Sequence, residues 1–465
     1  MSNLKVALSA ACAVVVGWAF TASADIPASA YVQSGLVAQY DGIENAGIGV
    51  HDPQATEWVD LKGGIGNATL DSSVTSGLGW NSLALTNGVN CYPAKMPKTA
   101  ANLFNTMAFS AEITVRPTRS KNRECFLGTY SSGNFTIEHN SSGYSTGNAR
   151  FWYAGNPDEK SAFTILANEF ATIQLSMSSA TSRTIAKNGA DFQSFTAKAA
   201  VITKDVDVTI GGDNSRKDMA FRGDYHSLRL YDRPLSQDEM RFNAAIDQCR
   251  FNGANPATLT WPDGYKYDEQ TGQVCAKVAL DFGSPCGTVK VGGAEVQPGW
   301  ETWTVAGAAS PLTFVAEPAA GYRLVRWESA GRTVGTSSEY VLDYGQKTTV
   351  KAVFAPANMT TGLYVQNGLV AQWDGIDNQG TGSHTDGATT WKDVSPAGLG
   401  GDLALGDSEA FEPDALFITA APVHVTGPLG LTAMTLEFQF MRTSGTTSIR
   451  RYSRCRPPAR YRARG

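Results

Sequence analysis

The sequence predicts an all-β protein built of sandwich or jelly-roll modules, and three observations carry that expectation. The stretch Tyr31-Val-Gln-Ser-Gly-Leu-Val-Ala-Gln-Tyr-Asp-Gly-Ile43 returns as Tyr364-Val-Gln-Asn-Gly-Leu-Val-Ala-Gln-Trp-Asp-Gly-Ile376, so one module begins twice. The register holds without a gap through His51 and His384, Trp58 and Trp391, and Asp60 and Asp393. Between these starts the apolar residues alternate with period two, and 47 glycines with many Asn-Gly and Ser-Gly pairs supply turns rather than helices.

At the amino terminus Lys5 precedes the apolar run Val6 to Phe20 and then Ala22-Ser23-Ala24. This pattern predicts a secretory signal peptide over 1–24, with the mature chain starting at Asp25 and crossing no membrane. The run is short of the roughly 20 residues a spanning helix needs.

Residues 25–252 read as the first module. Glu112-Ile-Thr-Val115, Thr136-Ile-Glu138, Thr172 to Met177, Asp205 to Ile210 and Ser227 to Tyr231 each alternate as half-buried strands do. Asn188-Gly189, between two strand-like runs, suits a two-residue type I′ hairpin because both residues accept positive φ. The module closes on Tyr225-His-Ser-Leu-Arg-Leu-Tyr-Asp-Arg-Pro-Leu-Ser-Gln-Asp-Glu-Met240, a strand running into a helix. Ser236 with Glu239 forms a capping box, and Leu235 with Met240 takes the staple positions. The helix is expected to pack against one edge of the sandwich.

On Gly35 to Asp41, Trp58-x-Asp60, Gly66 to Leu70 and Gly223 to Glu239, this module resembles a LamG-type, concanavalin A-like lectin/glucanase jelly roll. The resemblance implies two curved antiparallel sheets, one of them often carrying a binding groove.

Residues 253–357 change character, with short alternating strands at Thr288 to Val291, Leu312 to Pro318, Gly321 to Trp327 and Thr349 to Phe354. The run resembles the InlB-type B-repeat of bacterial surface proteins, which implies a spacer. Residues 358–449 read as an incomplete second LamG-like module, since Ala433 to Phe440 aligns with Ala108 to Val115 and no later strands follow. The tail 450–465 holds seven arginines and no acid, and reads as disordered or out-of-frame sequence. Without it the chain carries 31 bases against 43 acids, an acidic body that argues against a nucleic-acid partner.

Export permits disulfides. With Cys12 and Cys455 set aside, Cys275 with Cys286 is the first candidate pair, Cys91 with Cys125 the second, and Cys249 is left over.

Glucanases of the resembling superfamily place their carboxylates on a Glu-x-Asp-x-x-Glu strand, which this chain lacks: Thr114 stands where the second carboxylate would fall after Glu112. Asp205 and Asp207 share a strand face that reads as solvated. No zinc-protease, hydrolase-elbow or phosphate-loop motif occurs. The chain is therefore expected not to be an enzyme. Related jelly rolls often hold calcium, for which Asp41, Asp52 or Asp60 could serve, and Asp41 and Asp60 could equally hold turns.

A sugar groove needs aromatic faces beside polar groups. The candidates are Trp80, Tyr130, Tyr144, Trp152 and Tyr153, with Asn140 and Asn148, whereas Trp58 and Trp391 are assigned to the core. The expected function is that of a secreted or cell-surface recognition or adhesion protein binding a glycan or an extracellular protein. An accessory part of a glycoside hydrolase and a structural surface repeat are the alternatives.

Overall fold

The computed structural model describes residues 26–71, 75–79, 82–85, 94–106, 108–119, 124–128, 135–139, 148–153, 160–179, 182–196, 207–212, 220–283, 285–330, 332–357, 364–381, 383–385, 387–406, 410–412 and 415–417. The expected signal peptide, Trp80, Cys91, Tyr130, Asn140, Tyr144, Asp205, the strand aligned at Ala433 to Phe440 and the arginine tail lie outside the described residues.

The first module lays down β1 (Leu36–Asp41), β2 (Glu57–Trp58), β3 (Ala68–Leu70), β4 (Thr75–Gly79), β5 (Ser82–Leu85), β6 (Ala94–Met96) and a short helix α1 (Ala100–Asn105). There follow β7 (Phe109–Pro117), β8 (Glu124–Gly128), β9 (Phe135–His139), β10 (Asn148–Tyr153), β11 (Lys160–Thr164), β12 (Ala171–Ser179), β13 (Ser182–Lys187), β14 (Ala190–Thr196), β15 (Val208–Ile210) and β16 (Gly223–Tyr231). Helix α2 (Gln237–Asn252) ends the module. Sheet one runs β14-β13-β12-β7-β16-β5-β4, with β1 also on β16, and sheet two runs β11-β10-β9-β8-β15-β6-β3-β2. Their facing sides bury one core around Trp58, Phe109, Ile113, Phe126, Ile210, Tyr225 and Leu228. This is a concanavalin A-like jelly-roll sandwich.

The hairpin forms at Asn188-Gly189, with φ of 54° and 67° as a type I′ turn requires. The capping box forms too: Glu239 N donates to Ser236 Oγ (3.3 Å) and Ser236 N donates to Glu239 Oε2 (2.8 Å). Gly253 closes the helix in the left-handed conformation, φ 70°. Two expectations are corrected. The helix packs across the outer face of β7, β12 and β16 rather than against an edge, and those strands are consequently buried on both faces rather than half-buried.

The second module holds β17 (Tyr265–Asp268), β18 (Gln273–Phe282), β19 (Gly287–Val291), β20 (Ala294–Val296), β21 (Glu301–Val305), β22 (Thr313–Pro318), β23 (Tyr322–Ser329), β24 (Arg332–Gly335), β25 (Glu339–Val341) and β26 (Thr348–Pro356). One sheet is β17-β18-β26-β23-β24 with β21 on β18, the other β20-β19-β22-β25, and Trp327 lies fully buried between them. Cys275 and Cys286 are both free, against the expected pairing. The cause is geometric: β18 is extended and carries the chain roughly 20 Å from Cys275 before the turn that holds Cys286, far beyond disulfide reach.

The two modules share a continuous core. Ile26, Tyr31 and Val32 wedge beside Phe242, Ile246 and Cys249 of α2 and Val274 and Ala276 of β18, and the Phe242 ring stacks on Tyr265 at 3.8 Å. Gly307 sits so close to Ser29 that a Cβ there would lie 1.6 Å from the Ser29 carbonyl oxygen.

Beyond them the repeated start folds again around two short ladders, β27 (Thr390–Trp391) with β28 (Leu403–Ala404) and β29 (Ala410–Glu412) with β30 (Ala415–Phe417). Its loop bonds copy those of the first. Trp58 Nε1 donates to Asp41 O at 2.9 Å and Trp391 Nε1 to Asp374 O at 2.9 Å. Asp60 accepts from Gln39 N (3.0 Å) and Asp393 from Gln372 N (2.9 Å). His51 Nδ1 lies 3.0 Å from Ile43 O, and His384 Nδ1 lies 2.9 Å from Ile376 O. The sheet does not follow: β1 is laddered to β16, whereas 369–374 has no ladder among the described residues. Trp391 is therefore only partly buried, edge-on to Phe411 at 5.7 Å, where a core position like that of Trp58 was expected.

Candidate functional site

The residues of sheet two that face away from the core align as one cross-strand row, exposed at Glu57, Thr69 and Lys95 and buried at Thr209 and Thr136. The register aligns Glu57 with Thr69, Thr69 with Lys95, Lys95 with Thr209, Thr209 with Gly128, Gly128 with Thr136 and Thr136 with Trp152. Cross-strand partners share a face, and the neighbours in each strand (Trp58, Ala68, Leu70, Ala94, Met96, Val208, Ile210, Leu127 and Ile137) belong to the core, so the row faces away from it.

Its chemistry is polar. Lys95 Nζ pairs with Asp207 at 3.1 Å, half exposed. The Thr209 hydroxyl lies within reach of the carbonyls of Gly128 (3.0 Å) and Gly212 (2.5 Å). Thr136 is fully buried and its hydroxyl has no partner among the described residues. Trp152 holds the register position that continues the row, Phe151 pairs opposite core Ile137, and Tyr153 pairs opposite Phe135. Of the expected aromatics, then, the backbone places Trp152 with this polar set. Thr69, Lys95 and Thr209 were not anticipated, although Ala68-Thr-Leu70, Ala94-Lys-Met96 and Val208-Thr-Ile210 each carry the signal, one polar residue between two core residues.

Glu112, the position where a glucanase-like strand would begin its acid set, lies on sheet one beneath α2. Its Oε2 accepts from Arg229 Nε (2.9 Å) and Asn243 Nδ2 (2.7 Å), and its Oε1 from Gln174 Nε2 (2.6 Å). Asp247 of α2 accepts from Arg229 Nη1 and Nη2, from the Tyr31 hydroxyl (2.7 Å), and from the Thr114 and Thr172 hydroxyls (2.9 Å each). Burial pushes the Glu112 carboxyl above its usual range, and the Arg229 guanidinium works against that shift. Burial likewise drives the Tyr31 hydroxyl upward, with Asp247 adding to it. A carboxylate saturated by three donors and covered by a helix is a structural group, not an acid catalyst in a groove.

The proposed calcium ligands are occupied. Asp41 is buried, ion-paired to Arg250 at 2.9 Å, and accepts from the amides of Ile43 and Glu44. Asp60 accepts from the amides of Gln39, Lys62, Ile65 and Gly66. Asp52 accepts from Gln54 N. Among the described residues no three His, Cys, Asp or Glu side chains gather as a metal set. These aspartates hold turns.

Residues 94–241 match the family model of the concanavalin A-like lectin/glucanases superfamily. No curated protein matches the chain. Among solved structures, Trypanosoma rangeli sialidase in complex with sialic acid is similar at 16% identity over 47% of this chain and 34% of that one, TM-score 0.35. The chain thus spans about a third of the sialidase. Domain 4 of AbnA, a GH43 extracellular arabinanase from Geobacillus stearothermophilus in complex with arabinotriose, is 17% identical over 45% of this chain and 97% of that one, TM-score 0.32. The native heptameric SAP-like pentraxin from Limulus polyphemus is 12% identical over 30% and 70%, TM-score 0.26. Among the described residues no helix is long and apolar enough to cross a membrane.

Proposed function

We propose that this chain is a non-catalytic carbohydrate-recognition protein, exported to the cell surface or beyond, whose first module binds a glycan across the outer face of sheet two. The observation that carries the reading is the exposed end of the outer row, Glu57, Thr69 and the Lys95–Asp207 ion pair, which the register continues through the buried Thr209 and Thr136 to the position of Trp152. Sugars present hydroxyl edges and apolar ring faces, which the exposed Glu57, Thr69 and Lys95, with Asp207 and an aromatic residue, match in chemical kind. The lectin/glucanase family match over 94–241 supports it, and the engagement of Glu112 beneath α2 supports the absence of glycosidase chemistry on that strand. In this reading residues 253–357 act as a spacer of the InlB-repeat kind. The test is a glycan array probed with the full chain: defined glycans are retained, and Trp152→Ala loses them. An array with no specific retention, or release of reducing sugar from a β-glucan that Glu112→Gln abolishes, overturns the proposal.

A further inference from the structure

A second place on the first module has the makings of a ligand site, at the end of sheet two where β11 pairs with β10, one strand beyond the position of Trp152. Edge strand β11 of sheet two approaches edge strand β14 of sheet one, and the gap opens as a cleft of about 550 Å³. That volume falls within the range small ligands occupy. Its apolar wall is Phe163 and Phe192 with Leu166, which is 59% exposed on the rim, and its polar side is Lys187, Asp191 and Gln193.

The hairpin departs from regularity here. Ile185 pairs with Gln193 and Lys187 with Ala190, so Asp191 and Phe192 together stand opposite Ala186 as a β-bulge. Asp191 takes φ of 50°, a left-handed conformation uncommon outside glycine. In a regular strand three consecutive side chains alternate between faces, yet Asp191, Phe192 and Gln193 all line this one cleft. The bulge re-aims them. Its position is anchored from below, since Gly189 N donates to Gln174 Oε1 (2.8 Å) and Arg241 of α2 stacks on Phe192 at 4.8 Å.

The charges select a ligand class. Lys187 Nζ is held by Thr164 O (2.8 Å) and Glu169 Oε1 (2.9 Å), which neutralises it while leaving its third N–H for a further acceptor. Asp191 is exposed beside it and adds a net negative charge that disfavours acidic ligands. A carboxylate that accepts two neighbouring hydroxyls, an ammonium and an amide that donate, and an aromatic wall together match an uncharged cyclic polyol. We propose that the cleft between β11 and the bulged β14 binds one neutral pyranose unit, with Asp191 accepting from a vicinal diol and Phe192 and Leu166 against the ring.

The test is an amide-resolved NMR titration of the full chain with the methyl pyranosides of glucose, galactose, mannose and N-acetylglucosamine, each alone. At least one glycoside should saturably shift the amides of residues 187–193, and Asp191→Asn should weaken it about tenfold, the worth of a charge-assisted hydrogen-bond pair. Asn tolerates the left-handed conformation, so the variant should melt as the parent does. If it does not fold, Gln193→Leu, which keeps the strand, takes its place with the same expected loss. Shifts confined to residues 136–152 overturn this inference while leaving the sheet-two reading standing. No shift with any glycoside, or equal affinity in the variants, overturns it as well.

Discussion

Arg229 on β16 and Asp247 on α2 face each other as a fully buried bidentate pair, Nη1 to Oδ1 at 2.8 Å and Nη2 to Oδ2 at 2.7 Å, while Arg229 Nε reaches Glu112 on β7 at 2.9 Å. The helix is thus bolted to the sheet by charge as well as by packing. Removing one member of such a set strands the others without water. Arg229→Met should lower stability by about 3–5 kcal/mol, read as a shift of the urea midpoint. Adding Glu112→Gln and Asp247→Asn to it should restore much of the loss, because no uncompensated charge is then left buried. Equal instability of the single and triple variants would show that packing, not charge, holds this interface.

The capping box gives a smaller and more local effect. Ser236→Ala removes the acceptor for Glu239 N and should cost about 0.5–2 kcal/mol. In a module of this size that lowers the melting temperature by a few degrees, measurable by calorimetry.

Gly189 is constrained twice over, by φ of 67° and by the helix, since an added Cβ would lie 2.7 Å from Arg241 Cα. Gly189→Ala should therefore destabilise the hairpin by about 1–3 kcal/mol. Hydrogen exchange at Thr184 to Ser194 should accelerate first.

Asp393 supplies a pH dependence. Its burial raises the carboxyl pKa, but amide donors from Gln372, Ser395 and Gly400 outweigh that, and the net shift is downward. A depressed folded value means that the stabilisation is present above the ordinary aspartate pKa of about 3.9 and is lost as pH falls through the folded value. The indole N–H resonance of Trp391, bonded to Asp374 O at 2.9 Å, should hold its position down to about pH 4 and move below it. In Asp393→Asn that acid transition should vanish.

What could be read in advance follows from how local each signal is. The Ser236–Glu239 box and the Asn188-Gly189 turn depend on residues a few positions apart, and each formed as the residues dictate, while the loop bonds of both repeat copies join residues 8 to 21 positions apart and follow the repeat itself. The network under α2 was hidden because Glu112, Thr114, Gln174 and Arg229 alternate with apolar residues just as a solvated face does. Only the pairing of β7 with β12 and β16, together with Asn243 and Asp247 arriving from α2, reveals that this face is covered. The polar row of sheet two was partly hidden for the same reason, because Thr69, Lys95, Thr209 and Thr136 come from four strands that sequence order does not align. The cleft beside β14 needs a bulge, which no periodicity announces. Cys275 and Cys286 looked paired by nearness in sequence, and the extended strand between them undid that.

The order in which this molecule can assemble follows from where β1 sits. Gln39 pairs with Arg229, and the Tyr31 hydroxyl reaches Asp247 across 216 residues of chain. Such contacts form only after a long loop is closed, so they reward the chain late and slow the search. A ribosome emitting this chain releases its opening strand long before the partner strand exists. Until α2 emerges, that strand and the apolar residues Ile26, Tyr31 and Val32 wait without their docking surface, and a segment made early is among the last to find its place.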